Sequence, residues 1–256
     1  MSEIKRVTAE EKITADASGC RWDFTVDTRM MDENRVLRPD WVLGLNQQSG
    51  EYLFRCVGLD NAILEQQGVA VVYTRIWEHF ERPVMLDENV ELDTFMTLRR
   101  GSLMKRTANL SVNGEQVASV CTEAVAIDTS TRSMLTKEKS GVFSCVPCPN
   151  TDNIKLTRFR TPENIEKVGT FDIRYADIDF NGHMNNTKYI NVLLGFIPGG
   201  MKGKWLCDAL MEYHAECRAG DTLTVMRGTD GDSFVFSLLG DDGTEHFRAK
   251  LIVGGM

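Results

Sequence analysis

The stretch from Phe171 to Leu194 reads FDIRYADIDFNGHMNNTKYINVLL and carries more polar, proton-transferring side chains than any other part of the chain. Its first residues alternate between apolar and polar, which is the pattern of a half-buried strand. From Tyr189 onwards apolar residues recur at helical spacing, and Asn185 or Asn186 is placed to cap a helix over residues 186–196. The stretch therefore predicts a strand, a polar turn and a helix.

Three side chains in the turn are candidates for catalysis. Asp179, Asn181 and His183 occupy alternate positions, so they would point to the same side if the segment is extended. A carboxylate, an amide and an imidazole could then supply a base, an oxyanion donor and a proton carrier, with the first N–H groups of the helix beside them. Gly182 would let the chain approach a ligand closely. The residues alone leave open an Asx-rich loop that only satisfies its own backbone.

At these residues the chain resembles a known family. Its turn is similar to the Asp-x-Asn-x-His-Val-Asn-Asn-x-x-Tyr signature of the acyl-acyl carrier protein (acyl-ACP) thioesterases, with which it shares Asp179, Asn181, His183, Asn185, Asn186 and Tyr189. Further on, the run from Glu212 to Cys217 reads EYHAEC and resembles that family's Glu-Tyr-x-x-Glu-Cys segment. Two matches in the right order make the resemblance specific.

The resemblance implies an α+β protein of two tandem hotdog domains, each an antiparallel sheet wrapped around a long helix. It also implies hydrolysis of fatty acyl-ACP without a cofactor, with catalytic residues Asp179, Asn181, His183, Glu216 and Cys217. Asp179 with Glu216 would act as the base or, as the less favoured alternative, as a direct nucleophile. Cys217 is either a thiol nucleophile or a bystander that shapes the site, and we favour the bystander. The histidines have no companions at metal-ligand spacing, so we expect no metal.

The chain repeats one order of elements twice. In the first half a helix begins at Pro39, and strands are predicted over 22–26, 69–80, 90–98, 104–112 and 117–127, the last two joined at Asn113-Gly114. In the second half the helix lies over 186–196, and strands are predicted over 171–176, 210–217, 222–226, 233–239 and 246–253. This repeat predicts an N-terminal domain (1–130), a linker (131–168) and a C-terminal domain (169–256).

The two copies differ at the polar turn. The first copy has Asp32 and Asn34 followed by Val36, where the second has His183. We therefore expect the chemistry in the second domain and the acyl chain in the first, against the face of its helix. The candidate substrate-binding residues are Val36, Gly44, Val72, Asn185 and Asn186.

Composition excludes several classes of function. The chain is 42% hydrophobic and 26% charged, as in globular proteins. A net charge of -8 argues against nucleic acid binding. No apolar run approaches the ~20 residues of a membrane span. The charged N-terminus does not resemble a targeting segment, and seven scattered cysteines indicate free thiols, so we expect a cytoplasmic protein.

An acyl carrier protein is itself acidic, so its recognition requires local clusters of basic residues. The densest cluster is Arg99, Arg100, Lys105 and Arg106. A second candidate consists of Arg132, Lys137 and Lys139. A solvated hairpin end is the alternative for the first cluster, and homodimerisation stays open.

Other functions fit the same residues. The chain could be an acyl-coenzyme A thioesterase, a dehydratase of the same fold, or an acyl-binding module without turnover. A dehydratase would be expected to place its histidine and acid on different elements, whereas here they share a turn. Thiol release from acyl-ACP compared with acyl-coenzyme A would discriminate among these.

Overall fold

A single antiparallel sheet of eleven strands runs through the described part of the chain. The computed structural model describes residues 11–151 and 154–256, so most of the charged N-terminal stretch lies outside the described residues. The first half contributes β1 (Lys12–Ala15), β2 (Cys20–Thr25), β3 (Val69–Phe80), β4 (Asn89–Arg100), β5 (Leu103–Val112) and β6 (Glu115–Asp128). The second half contributes β7 (Glu166–Asp172), β8 (Lys204–Tyr213), β9 (Thr222–Asp230), β10 (Ser233–Leu239) and β11 (Glu245–Gly255).

The strand order is β1-β2-β4-β5-β6-β3-β8-β11-β10-β9-β7, so each half of the chain forms one continuous block of the sheet. The blocks meet where β3 pairs with β8, from Arg75 opposite Glu212 to His79 opposite Asp208. Arg75 reinforces this seam because its Nε lies 3.2 Å from Glu212 Oε1, and Arg248 binds the other oxygen of Glu212. The predicted α+β class is confirmed.

Three α-helices are found in the described residues: α1 (Pro39–Cys56), α2 (Asn61–Gln66) and α3 (Lys188–Leu194). Helix α1 begins at Pro39, as predicted, because proline's fixed φ suits the first helical position. Its buried Val42, Leu43 and Leu53 face the core. We call the side of the sheet that carries the helices its inner face.

The Asn113-Gly114 hairpin between β5 and β6 is confirmed. The φ angles are +52° at Asn113 and +80° at Gly114. Two successive positive φ angles are what a type I′ turn requires, and Asn-Gly tolerates them at low cost. The turn fixes the register that places Arg106 opposite Thr122.

The second half departs from the prediction at three elements. The helix expected over 186–196 is only Lys188–Leu194, and its cap position is Thr187, not Asn185 or Asn186. The strand expected over 210–217 ends at Tyr213, and the strand expected over 171–176 is Glu166–Asp172. Strand β8 begins earlier than predicted, at Lys204, and it ends at Tyr213 because the backbone then turns away, with the N–H groups of His214 and Ala215 both donating to His246 O.

The segment between the halves crosses the outer face of the sheet. Lys105 Nζ on β5 donates to Ile154 O, and the Arg248 guanidinium lies 4.9 Å from the centre of the Phe159 ring. Further along, Asn164 Nδ2 donates to Thr229 Oγ1 on β9. Both faces of the central strands are therefore covered, one by helices and the other by this segment.

Candidate active site

The polar turn of the second half is a tight reversal. The N–H of Asp179 donates to His183 O at 2.9 Å, and that of Gly182 donates to Asp179 O at 3.0 Å. Asn181 N–H donates to Asp179 Oδ1 at 2.8 Å, and Gly182 adopts φ +80°. The expectation of an extended segment with three side chains on one side is wrong, because these bonds fold the backbone back on itself.

The polar turn of the first half has the same construction. Asp32 N–H donates to Val36 O at 3.0 Å, Arg35 N–H donates to Asp32 O at 3.1 Å, and Asn34 N–H donates to Asp32 Oδ1 at 2.8 Å. Val36 thus holds the place of His183, as the sequence predicted. Arg35 stands in the place of Gly182 with φ +62°.

Glu216 is positioned beside His183 by a backbone contact between neighbouring residues. Met184 N–H donates to Cys217 O at 2.8 Å, which brings the loop after β8 against the turn. His183 Nε2 then lies 3.0 Å from Glu216 Oε2. The carboxylate favours a proton on Nε2, which leaves Nδ1 of a neutral imidazole as an acceptor. Glu216 was predicted to lie on a strand; it lies on this loop.

A residue at the start of the linker also reaches the pair. Arg132 Nη1 lies 3.2 Å from the same Glu216 oxygen that faces His183. Arg132 was predicted only as a docking charge, and its contact with Glu216 was not predicted. No local pattern could have indicated it, because the contact depends on how the two blocks of the sheet meet.

Asp179 and Asn181 lie in the same turn, but in the described part of the chain no hydrogen bond joins their side chains to those of the His183–Glu216 pair. Asp179 Oδ1 accepts the Asn181 N–H, which is the self-capping role that the Asx alternative described. The side chain of Asn181 is exposed at the tip of the turn. The structure therefore brings His183 and Glu216 together and leaves Asp179 and Asn181 next to them.

Cys217 is fully buried behind this pair. Burial raises the pKa of its thiol, although a hydrogen bond with the Tyr189 side chain opposes that shift. Burial and the nearby Cys217 also raise the pKa of Tyr189. A buried thiol with a raised pKa is a poor nucleophile, since the thiolate is the reactive form.

Asn185 and Asn186 hold the backbone that leads from the turn to α3. Asn185 Oδ1 accepts the Thr187 N–H at 2.9 Å, and Asn185 N–H donates to Asp177 O at 2.8 Å. The carbonyl of Asn186 accepts the Tyr213 hydroxyl at 3.0 Å. The predicted capping of the helix by either asparagine is wrong, because each is used to close the segment before the helix begins.

Two of the three substrate-binding candidates from the first half line cavities. Val36 lines a cavity of about 400 Å³, and Gly44 lines a neighbouring cavity of about 320 Å³. The third candidate, Val72, is 39% exposed, so its prediction as part of an interior wall is wrong. The bulge in β3 between Tyr73 and Arg75 shifts the alternation of its side chains, which a simple period-two pattern does not anticipate.

The predicted docking cluster of Arg99, Arg100, Lys105 and Arg106 is wrong as a surface patch. Lys105 and Arg106 are only 7% and 6% exposed. Lys105 is covered by the linker, and Arg106 is covered by α1. Arg99 donates to Phe143 O and to Asn150 Oδ1 in the linker. Of the four, only Arg100 is exposed.

The second basic cluster lies on the surface beside the candidate site. Arg132, Lys137 and Lys139 are all exposed, and Arg132 contacts Glu216 directly. Lys139 Nζ pairs with Asp128, and this contact is the largest cause of the low pKa of that carboxyl.

The described residues contain no group of three or more His, Cys, Asp or Glu that could hold a metal ion. Within the same residues, no helix is both long enough and apolar enough to cross a membrane.

Several known proteins are similar to this chain in sequence and in fold. Residues 161–251 match the acyl-ACP thioesterase C-terminal domain. The acyl-[acyl-carrier-protein] hydrolase FATB2 of Cuphea viscosissima is 22% identical, and the palmitoyl-acyl carrier protein thioesterase of Cuphea hookeriana is 24% identical, each over 93% of this chain. The crystal structure of an acyl-ACP thioesterase from Bacteroides thetaiotaomicron matches with a TM-score of 0.81 at 21% identity, over 91% of this chain and 97% of that one.

The fold is therefore that of tandem hotdog proteins, as predicted, although its second helix is short. The likeness to acyl-ACP thioesterases thus lies in the C-terminal part of the sequence, residues 161–251, and in the fold. The chain spans 63% of the length of the two Cuphea relatives.

Proposed function

We propose that this protein hydrolyses the thioester of fatty acyl-ACP, releasing a free fatty acid and ending chain elongation in the cytoplasm. The observation that carries the proposal is the 3.0 Å contact between His183 Nε2 and Glu216 Oε2, on a turn that matches the family's signature. The match of residues 161–251 to the acyl-ACP thioesterase C-terminal domain and the acyl-ACP activity of the two Cuphea relatives support this substrate.

In the proposed mechanism a water molecule attacks the thioester carbonyl carbon. Glu216, with Asp179 nearby, withdraws the proton from this water through the imidazole of His183. The side-chain amide of Asn181 donates to the developing oxyanion. The proton then passes back from Glu216 through the imidazole of His183 to the departing sulfur, so that the C–S bond breaks and a thiol leaves. Cys217 shapes the wall of the site and forms no bond to the acyl group.

We propose a division of labour between the two halves. The C-terminal domain (169–256) carries the reacting groups, and the N-terminal domain (1–130) binds the acyl chain against the face of its helix. The linker (131–168) joins them. The support is the paired construction of the two polar turns, in which Val36 replaces His183 and leaves an apolar side chain facing a cavity.

The partner in this proposal is an acyl carrier protein, docked at Arg132, Lys137 and Lys139. These side chains are exposed and carry positive charge beside the candidate site on a chain of net charge -8. An acidic carrier would be steered to this surface, so that its phosphopantetheine arm reaches His183.

The test is release of free thiol from acyl-ACP, with acyl-coenzyme A of the same chain length as the second substrate. We expect a higher kcat/KM with acyl-ACP. A higher kcat/KM with acyl-coenzyme A would contradict the proposed substrate and identify the protein as an acyl-coenzyme A thioesterase. Tight binding of acyl-ACP without any thiol release would identify the chain as a binding module.

A further inference from the structure

The space between α1 and the sheet beneath it is filled by a buried cation. The guanidinium of Arg106 donates from Nη1 to Asn46 Oδ1 and Thr94 Oγ1, each at 2.8 Å. Gly50 of α1 lies directly against it, since a Cβ at that position would be 2.7 Å from the guanidinium. An alkyl chain threaded here would contact a charged group and could not satisfy its remaining donors.

Open space lies instead between α1 and α3. The cavity of about 320 Å³ is lined by Trp41, Gly44 and Leu45 of α1 and by Lys188, the first residue of α3. The cavity of about 400 Å³ is lined by Val36, Leu37 and Phe80 from the first half and by Leu194 and Met201 from the second. Arg38 lines both, so the two cavities adjoin.

The order of these cavities follows the direction of α3. Lys188 comes directly after Asn185–Thr187, the segment that leaves the His183 turn. Leu194 ends the helix, about 10 Å further on for a helix of this length. The groove between the helices thus leads from the neighbourhood of the catalytic turn towards the Val36 turn.

We infer that the acyl chain lies in this groove between α1 and α3, and not between α1 and its own sheet. The inference rests on the proposed function and assigns its substrate site to surfaces of both domains. Gly44 forms the wall of the nearer cavity, and Leu194 and Met201 form the wall of the farther one. Arg38, which is ion-paired with Asp40, lines both cavities, so an acyl chain long enough to enter the farther cavity passes this residue.

Two cavity-filling variants test the groove. Apart from its chain neighbours and the backbone of its own helix, no heavy atom lies within 4 Å of a Cβ built on Gly44, so the side chain of Gly44→Leu begins in open space at the nearer cavity. Leu194→Trp occupies the farther one. We expect both to lower kcat/KM for long acyl-ACP by about tenfold or more relative to short acyl-ACP, because excluded methylenes lose their burial. An unchanged chain-length profile in both variants would overturn the inference.

Arg106→Met is the matched test of the other route. This change removes the charge beneath α1 while keeping a long side chain. If the acyl chain lies between α1 and α3, the variant should gain no activity on acyl-ACP with longer chains. A new activity on longer chains in this variant would place the acyl chain beneath α1 and overturn the inference. Thermal unfolding of each variant identifies those that fail to fold.

A direct measurement does not depend on any variant. Wild-type protein is incubated with acyl-ACP in which an amide replaces the thioester and a diazirine marks the far end of the chain. Irradiation should label peptides from 36–45 and 191–201, whereas labelling of β4 and β5 would overturn the inference. Hydrolysis of the matching thioester is measured in parallel, so that failure of the proposed activity is separated from failure of the proposed route.

Discussion

Val36 occupies in the first polar turn the backbone position that His183 occupies in the second, with Asp32 N–H and Asp179 N–H donating to their carbonyls at 3.0 and 2.9 Å. The first turn has the same backbone hydrogen bond as the second, but the side chain of Val36 has no proton to transfer. Asn34, the counterpart of Asn181, donates to Met201 O and Lys204 O. One copy of the turn therefore braces the two halves against each other, and the other presents polar groups to solvent.

Replacing His183 by alanine should lower kcat by about two to four orders of magnitude, the usual cost of losing an acid-base group. The fold should persist, because His183 is in a surface turn and its backbone bonds do not depend on the imidazole. His79→Ala is the matched control, since His79 also faces a carboxylate at 3.0 Å but on the outer side of the sheet. Turnover close to wild type in His183→Ala would remove the turn from the active site.

Asp179→Asn should preserve the turn and lose most of the activity. An asparagine oxygen can still accept the Asn181 N–H that Asp179 Oδ1 now accepts, so the backbone keeps its shape. The negative charge near His183 is lost, and we expect kcat to fall by about 10²-fold or more. Steady-state kinetics and thermal unfolding measure the two effects. If Asp179→Asn is as active as the wild type, Asp179 has only its structural role and Glu216 alone acts as the base.

Cys217→Ala should be far milder than His183→Ala. The thiol is buried and its pKa is raised, so it is protonated at neutral pH. Exposed Cys145 should react quickly with an alkylating reagent, and Cys217 should react slowly. Mass spectrometry after a timed pulse measures both. An acyl group found covalently attached to Cys217 during turnover would contradict the water mechanism.

Glu78 should make folding stability depend on pH. Burial, followed by the charges of Asp40 and Asp208, holds the pKa of Glu78 well above its ordinary value, and its two oxygens have no hydrogen-bond partner among the described residues. A carboxyl with a raised folded-state pKa contributes stability at low pH and loses it as pH rises, by up to about 1.4 kcal/mol per pH unit.

Glu78→Gln should remove this dependence and gain stability relative to wild type as pH rises above about 4.3, the ordinary glutamate pKa. The free energy of unfolding, measured by urea titration between pH 5 and pH 8, tests this. The exposed Glu65→Gln change in α2 is the control. Parallel curves for wild type and Glu78→Gln would show that Glu78 is charged in the folded protein.

Reversing the charges of Lys137 and Lys139 to glutamate should raise the KM for acyl-ACP. Rim charges act mainly on the rate of association, and salt screens them over about 8 Å at physiological ionic strength. The effect should therefore be larger at low salt, and a short acyl-pantetheine should be hydrolysed at the wild-type rate. Equal losses on both substrates would indicate damage to the site and another docking surface. Arg132 is left unchanged because it contacts Glu216.

Local patterns predicted the elements whose signals are contained in a few neighbouring residues. Pro39 marked the start of α1, and Asn113-Gly114 marked the hairpin, because each meets a backbone requirement that few other residues meet. Helix α2 was not predicted, although Asp60 at its cap accepts from Ile63 N–H. Its six residues are too few for periodicity to be evident.

Predictions of surface exposure failed where they depended on which segments cover the two faces of a strand. In β5, successive residues from Met104 to Ala108 are all buried, so burial does not alternate along this part of the strand. Lys105 and Arg106 are therefore both buried, although a strand with one solvent-facing side would expose one of them. The cause is a segment remote in sequence, which covers the outer face while α1 covers the inner one. The contact of Arg132 with Glu216 was missed for the same reason, because it joins positions 84 residues apart.

Because β3 pairs with β8 within one chain, the association of the two blocks of the sheet does not depend on protein concentration. Either block of the sheet alone would end in a bare strand with unpaired N–H and C=O groups, a surface prone to aggregation. Since both strands belong to one chain, their association is intramolecular and does not weaken as concentration falls. The paired turns, the groove between the helices and the contact of Arg132 with Glu216 therefore persist in a single molecule, at any expression level.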